Sequence, residues 1–379
     1  MIPYIKYYRR IKSIPTLNLN DIRLKDLYRQ RFNFYFKLGI TENDFKNKSV
    51  LEFGPGTGYN AHYLIEQCKV KKISLVDHNP ASVKALKKHL KKFKNAIILN
   101  EDANEFKTNQ KFDFTIIENA LSGFKNPKKI FNKLLKYTAS KGTLVCTFAD
   151  PIGVFSDKIR YLYAIMLLEQ NKIKDFKKRH LFLTNVFTRD LNYLSKNTRP
   201  ASKWVLDNLM NEPWMKKKID FNFLHIINIL ELKKCMVKGV SPNFYYDYIW
   251  YKKMNPSDFN KNIIKQYKTN NINFLDFETR FHVKIKEVNI TLKKFNKILQ
   301  SFQYNKKISN KKLREIQIVI KKLELALNRI NPNNKVSLSL KEFSEIIDEF
   351  LNNKKITKKT KYIYKFWGIG TQALSLYKI

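Results

Sequence analysis

The sequence predicts an α/β fold, a mostly parallel sheet covered by helices on both faces, on three observations. From about residue 48 to 150, short apolar runs alternate with helix-compatible segments. The first run, Val50-Leu51-Glu52-Phe53, passes straight into Gly54-Pro55-Gly56-Thr57-Gly58, which reads as strand, tight turn and helix. A later run, Ile73 to Val76, closes on a carboxylate, Asp77, about 20 residues beyond the glycines.

In chain order, residues 1–45 read as a helical lead-in, with Asn20 or Asp21 capping a helix over about 22–38 that places Leu24, Leu27, Phe32, Phe34 and Phe36 partly on one face. Strands are expected near 49–53, 73–77, 96–99, 112–117 and 143–148, and helices near 58–68, 80–93 and 127–137. Asn79-Pro80 starts the second of these helices with proline in its first turn. A ligand of such a sheet lies beyond the carboxyl ends of its strands. Asp77, Asp102 with Ala103, and Glu118 with Asn119 all follow strand ends.

Past Asp150-Pro151 a helical period runs through Ile159, Leu162, Ile165 and Met166, opening a large, mainly helical insertion over 155–355. Further helices are expected near 201–210, 220–232, 256–268, 288–302, 309–330 and 340–351, the last capped by Ser339. Two stretches inside the insertion stand out. Ser241 to Tyr251 crowds six aromatic rings around Asp247, a composition suited to sugar rings or nucleobases and also to core filling. Asp276 to Val283 alternates so that a strand would put Asp276, Glu278, Arg280 and His282 on one face, as a proton-transfer cluster or a solvated salt-bridge ladder. Residues 362–367 and 371–377 read as two strands around a glycine turn.

The Gly54, Gly56, Gly58 spacing, the acid closing strand two, Asp102-Ala103 after strand three and Phe112-Asp113 opening strand four together resemble the class I S-adenosylmethionine-dependent methyltransferases over roughly residues 45–150. Dinucleotide-binding domains carry their last glycine one position later. Lys141-Gly142-Thr143-Leu144-Val145 is similar to the family's turn into strand five.

The resemblance implies a Rossmann-like seven-stranded, mostly parallel sheet that the C-terminal strand pair completes. The chain then divides into a lead-in (1–45), a cofactor domain (46–154), an insertion (155–355) and a strand pair (356–379). It also implies S-adenosyl-L-methionine as cofactor. Gly54, Gly56 and Gly58 would let the backbone approach the methionine part, Glu52 would steady that loop or meet the amino group, and Asp77 would take the ribose hydroxyls. Asp102 would meet the adenine amino group beside Ala103, and Glu118-Asn119 would line the methionine end.

Composition bounds the function classes. The net charge of +41 suits nucleic acid or an anionic surface. However, only 12 of the 73 basic residues are Arg, and the Lys pairs are spread along the chain, as an AT-rich coding bias and solvated faces would produce. Three cysteines (Cys68, Cys146, Cys235) suggest neither a disulfide framework nor a zinc site, and no cluster has metal-ligand spacing. The first residues lack a signal-peptide core and no apolar run is long enough for a bilayer, so a cytoplasmic protein is expected.

Glu118-Asn119-Ala120-Leu121 is not the Asp/Asn-Pro-Pro-aromatic motif used on base amino groups, and Cys146 sits in an apolar strand as a core thiol. The acceptor expected is a hydroxyl of a small molecule or carbohydrate, with His282 as candidate base because two carboxylates share its face. RNA or tRNA is the second reading, and a non-catalytic cofactor-binding scaffold the third.

Overall fold

A computed structural model describes residues 7–8, 11, 23–194, 200–232, 234–243, 256–281 and 286–379. The chain divides into two compact units: 1–149 with 219–267 and 371–379, and 150–218 with 268–370.

The first unit holds one seven-stranded sheet: β1 (Ser49–Phe53), β2 (Lys72–Val76), β3 (Ala96–Leu99), β4 (Phe112–Ile117), β5 (Thr138–Ala149), β6 (Cys235–Ser241) and β7 (Thr371–Lys378). Their spatial order is β3-β2-β1-β4-β5-β7-β6. The first five pair in parallel, and β7 runs antiparallel to both β5 and β6. Sequence order reverses between β1 and β4, the crevice where an open α/β sheet binds its ligands. Val50, Leu51, Glu52 and Phe53 are all buried, as in a strand covered on both faces. The Ser49 backbone N–H and hydroxyl both donate to Asp113 Oδ2 at 2.8 Å, which sets the register of β1 on β4.

β6 is an element the sequence pattern did not announce. Its outer edge is met by Asn260, which donates to Cys235 O at 2.9 Å and accepts from Val237 N at 3.2 Å, so a side-chain amide stands in for a further strand. A Cβ on Gly239 would lie 2.5 Å from the Leu38 carbonyl carbon, so only glycine lets β6 approach the end of the lead-in helix. The partner expected for β7 at 362–367 is instead a 3-10 turn, Ile363–Lys365.

The second unit shows why no strand forms there. Glu342 accepts the backbone N–H groups of Lys361, Tyr362 and Ile363 at 2.5–2.8 Å. Arg160 donates to the carbonyls of Phe366 and Ile363 at 2.7 and 2.9 Å. With those polar groups spent on side chains, no ladder remains to be made. Arg160 is fully buried, is neutralised by Asp190 at 2.9 Å and stacks on Trp367 at 3.7 Å.

The long helices of this unit, among the described residues, are Phe155–Gln170, Phe176–Tyr193, Lys286–Leu299, Asn310–Ile330 and Lys335–Asn353. Phe176–Tyr193 was not expected. The last helix is capped by Asn334, which accepts from Ser337 N at 2.9 Å; Ser339 lies inside it and donates back to Lys335 O. The alternating stretch from Asp276 is not a strand. Asp276 Oδ2 accepts from Glu278 N, Thr279 N and Thr279 Oγ1, curling the chain into an Asx-type turn, while Lys335 pairs with both Asp276 and Glu278. The aromatic residues Phe244 to Tyr251, and His282, lie outside the described residues.

Candidate cofactor site

The site is built where β1 and β4 part. Gly54, Gly56 and Gly58 all have positive φ (69°, 59° and 82°), the left-handed region that side chains avoid. A Cβ on Gly54 would come within 2.8 Å of Ala120 Cβ, and one on Gly58 within 2.6 Å of Leu86 Cδ2. The loop therefore lies against the turn after β4 on one side and against the helix Pro80–His89 on the other. His89 Nδ1 lies 2.8 Å from the Thr57 carbonyl and, as that pair's donor, ties the loop to the helix end.

Asp77, at the end of β2, is buried and held from two directions. Its Oδ1 accepts from Asn79 N at 2.8 Å and its Oδ2 from Gly56 N at 3.3 Å. Burial raises its pKa, and the two backbone donors oppose that rise. Asn79 in turn accepts from Ala81 N and caps the helix, as Asn79-Pro80 predicts. Asp77 N donates to Leu99 O, which brings the β2 and β3 ends side by side. After β3, Asp102 Oδ1 accepts both Asn104 N and Asn104 Nδ2 at 2.8 Å, and Lys133 holds the turn through the carbonyls of Ala103 and Asn104.

Beneath the glycines lies a buried polar chain that links the predicted Glu52 and Glu118 through three residues the sequence reading passed over. Arg31 forks onto Glu118, Nη1 to Oε2 at 2.9 Å and Nη2 to Oε1. The Tyr35 hydroxyl donates to Asn60 Oδ1 at 2.8 Å and lies 3.3 Å from Glu118 Oε1. Asn60 Nδ2 donates to Glu52 Oε1 at 3.1 Å. Among the described residues, Glu52 Oε2, Arg31 Nε and His78 Nε2 are buried with no hydrogen-bond partner. Burial first, and the Glu118 charge second, push the Glu52 carboxyl up to about 8. Two carboxylates facing a single guanidinium leave room for one more positive charge.

Arg31 and Tyr35 come from the helix Leu24–Lys37, whose buried face is Leu27, Arg31 and Tyr35. The face expected from its phenylalanines is mostly the outer one: Leu24, Phe32 and Phe36 are 46, 44 and 63 % exposed. An arginine four residues from Leu27 and four from Tyr35, in a chain whose cations are nearly all Lys, was the signal available.

Asn119 has a positive φ of 54°, and its N–H donates to Thr147 Oγ1 at 2.5 Å, so it is tied to β5. Cys146 is fully buried in β5, and burial pushes its thiol pKa up, the opposite of an activated nucleophile. Among the described residues there is no group of three His, Cys, Asp or Glu able to hold a metal, and no helix long and apolar enough to cross a membrane.

Residues 44–187 match the family model described as a methyltransferase domain. That match places a methyltransferase domain within the chain. No curated protein matches this chain. Among solved structures, the methyltransferase domain is similar to N-methyltransferase NodS from Bradyrhizobium japonicum in complex with S-adenosyl-L-homocysteine, at 18 % identity over 39 % of this chain and 74 % of that one, TM-score 0.32. It is also similar to an S-adenosylmethionine-dependent methyltransferase from Clostridium acetobutylicum, at 16 % identity over 32 % of this chain and 51 % of the other, TM-score 0.29. A complex of the Haloferax volcanii Trm112 activator with a putative methyltransferase matches at 14 % identity over 34 % of this chain and 55 % of that one, TM-score 0.29.

Proposed function

We propose that this methyltransferase domain transfers the methyl group of S-adenosyl-L-methionine to a hydroxyl of a small molecule or carbohydrate. The observation that carries the cofactor assignment is Asp77, a buried carboxylate fixed by Gly56 N and Asn79 N at the strand-order reversal. There it takes the two ribose hydroxyls, and Asp102 with Ala103 takes the adenine edge. The left-handed Gly54, Gly56 and Gly58 bring bare backbone against the methionine part. Glu52, which burial keeps protonated in the free protein below about pH 8, gives up that proton when the cofactor's ammonium meets Oε2, and Glu118, with Asn119, shapes the floor at that end while Arg31 neutralises it.

When bound, the cofactor supplies a methyl group on a positively charged sulfur, so the protein has to align an acceptor at about 3 Å, exclude water and take one proton. The acceptor reading rests on the turn after β4. Glu118 is engaged by Arg31 and Asn119 by Thr147, so neither is offered to an exocyclic amine. His282 is the base we assign to the hydroxyl proton from the sequence alone, since the strand face it was expected to share with Asp276 and Glu278 is replaced by a turn at Asp276.

RNA is the second reading, favoured by the +41 charge. Incubating the full chain with methyl-labelled cofactor and fractionated lysate separates the readings: label in small molecules or glycan supports the first, and label in RNA replaces it with the second. Tight cofactor binding with no label transferred to any fraction would make the chain a non-catalytic scaffold. A His282→Ala variant that keeps full turnover would remove His282 from the reaction.

A further inference from the structure

The second unit contains a cavity of about 570 Å³ formed only by its own residues. Its walls are the last turns of the helix Phe155–Gln170, the turn at 172–174, the start of the helix Phe176–Tyr193 and the loop 303–307. The floor is apolar, with Ile165, Leu168 and the ring of Tyr304 all buried.

The charges around it are one-sided. Lys172, Lys174, Lys306 and Lys307 form an exposed rim, Arg179 is buried within, and among the described residues the only lining carboxylate is Glu169. Glu169 Oε2 is already used as acceptor for Ile308 N at 2.6 Å. Among the described residues none of the four rim lysines forms an ion pair. The helix-end carbonyls at this wall are also taken, Leu167 O by Asn171 N, Leu168 O by Ile173 N and Glu169 O by Lys172 N. Five cations around a single concavity repel one another, and one committed carboxylate is too few to cancel them, so a strongly positive potential is held there.

Arg179 is placed with more precision than a solvated cation requires. Its Nη2 donates to Lys174 O at 3.1 Å and Asn305 Oδ1 at 2.5 Å, and its guanidinium lies 4.6 Å from the Tyr304 ring centroid. Tyr304 is itself fixed by a 2.8 Å hydrogen bond to Leu209 O. A guanidinium oriented in this way, inside a lysine rim, suits a phosphate group. The Tyr304 ring and the aliphatic floor suit a planar or apolar body attached to it.

We propose that this cavity is a binding site for a phosphate-bearing small molecule, with the phosphate at Arg179 and the lysine rim and the organic part against Tyr304. The proposal does not rest on the methyl acceptor, since every residue in it belongs to the second unit.

Isothermal titration of the full chain at fixed ionic strength tests it, with inorganic pyrophosphate and phenyl phosphate as probes. Saturable one-to-one binding of both is expected, weakened about tenfold by Arg179→Gln and by the double change Lys172→Gln with Lys307→Gln. Phenyl phosphate alone should also weaken with Tyr304→Leu. The control is Lys321→Gln with Lys322→Gln, two exposed lysines on Asn310–Ile330 outside the cavity, which should change nothing. If Arg179→Gln does not fold, the rim pair decides. Unsaturable binding, or equal weakening in the control, would mean anions merely collect on a +41 chain, and the site would fall.

Discussion

Glu52 is where burial and charge conflict most in the first unit. Its pKa of about 8 lies above the ordinary 4.5, so between those values the folded chain keeps a proton that the unfolded chain has lost. The Glu52 contribution is therefore full below about pH 4.5 and is lost as pH rises toward 8. Glu52→Gln removes that loss: the apo variant should melt a few degrees above the wild type at pH 8 and level with it near pH 4.5, read by thermal unfolding. Parallel pH profiles for the two proteins would show that Glu52 is ionised without penalty.

Asp77 faces the opposite test, because its partners are arranged for an ionised carboxylate. Asp77→Ala should weaken S-adenosylmethionine binding by about 1–3 kcal/mol, the worth of charged hydrogen bonds, measured by calorimetry. Unchanged affinity would take the ribose away from this residue.

At the scale of the element, the helix Leu24–Lys37 is held to the sheet by a polar anchor as well as an apolar one. Arg31 and Glu118 are both at least nine-tenths buried, so breaking the pair strands a charge. Arg31→Met should destabilise by about 3–5 kcal/mol, and adding Glu118→Leu should restore most of it, because two apolar groups replace a pair whose desolvation was never free. Denaturant unfolding of both variants measures this. A double variant no better than the single would mean that the Tyr35 and Asn60 contacts depend on Glu118 as well.

The same scale explains what was legible. β1, β2 and β4 are nearly continuous apolar runs because both their faces are covered, and such runs are visible in any sequence. β6 was not, since Cys235-Met236-Val237-Lys238-Gly239-Val240-Ser241 is short, sits at an edge and owes its strand conformation to β7 and Asn260.

For the whole molecule, the sheet is assembled from three separate stretches of chain, and the last two strands to join it come from 235–241 and 371–378. A fragment ending at Ala149 would leave β5 without β7 along Thr143–Ala149, an apolar edge with unpaired backbone. That fragment is expected to aggregate and the full chain to stay monodisperse; gel filtration and light scattering decide. A monomeric fragment with a cooperative melt would show that the five parallel strands suffice.

The sequence by itself determined the parallel sheet, the glycine loop and the carboxylates at the strand ends, because turn geometry and apolar periodicity are local and are written in adjacent residues. Only the tertiary structure decided that Arg31, Tyr35 and Asn60 join Glu52 to Glu118, that Glu342 and Arg160 use up the 361–366 backbone, and that Asp276 begins a turn. Each of those outcomes depends on a hydrogen-bond partner far away in the chain, and burial, which makes such partners obligatory, exists only once the chain has folded.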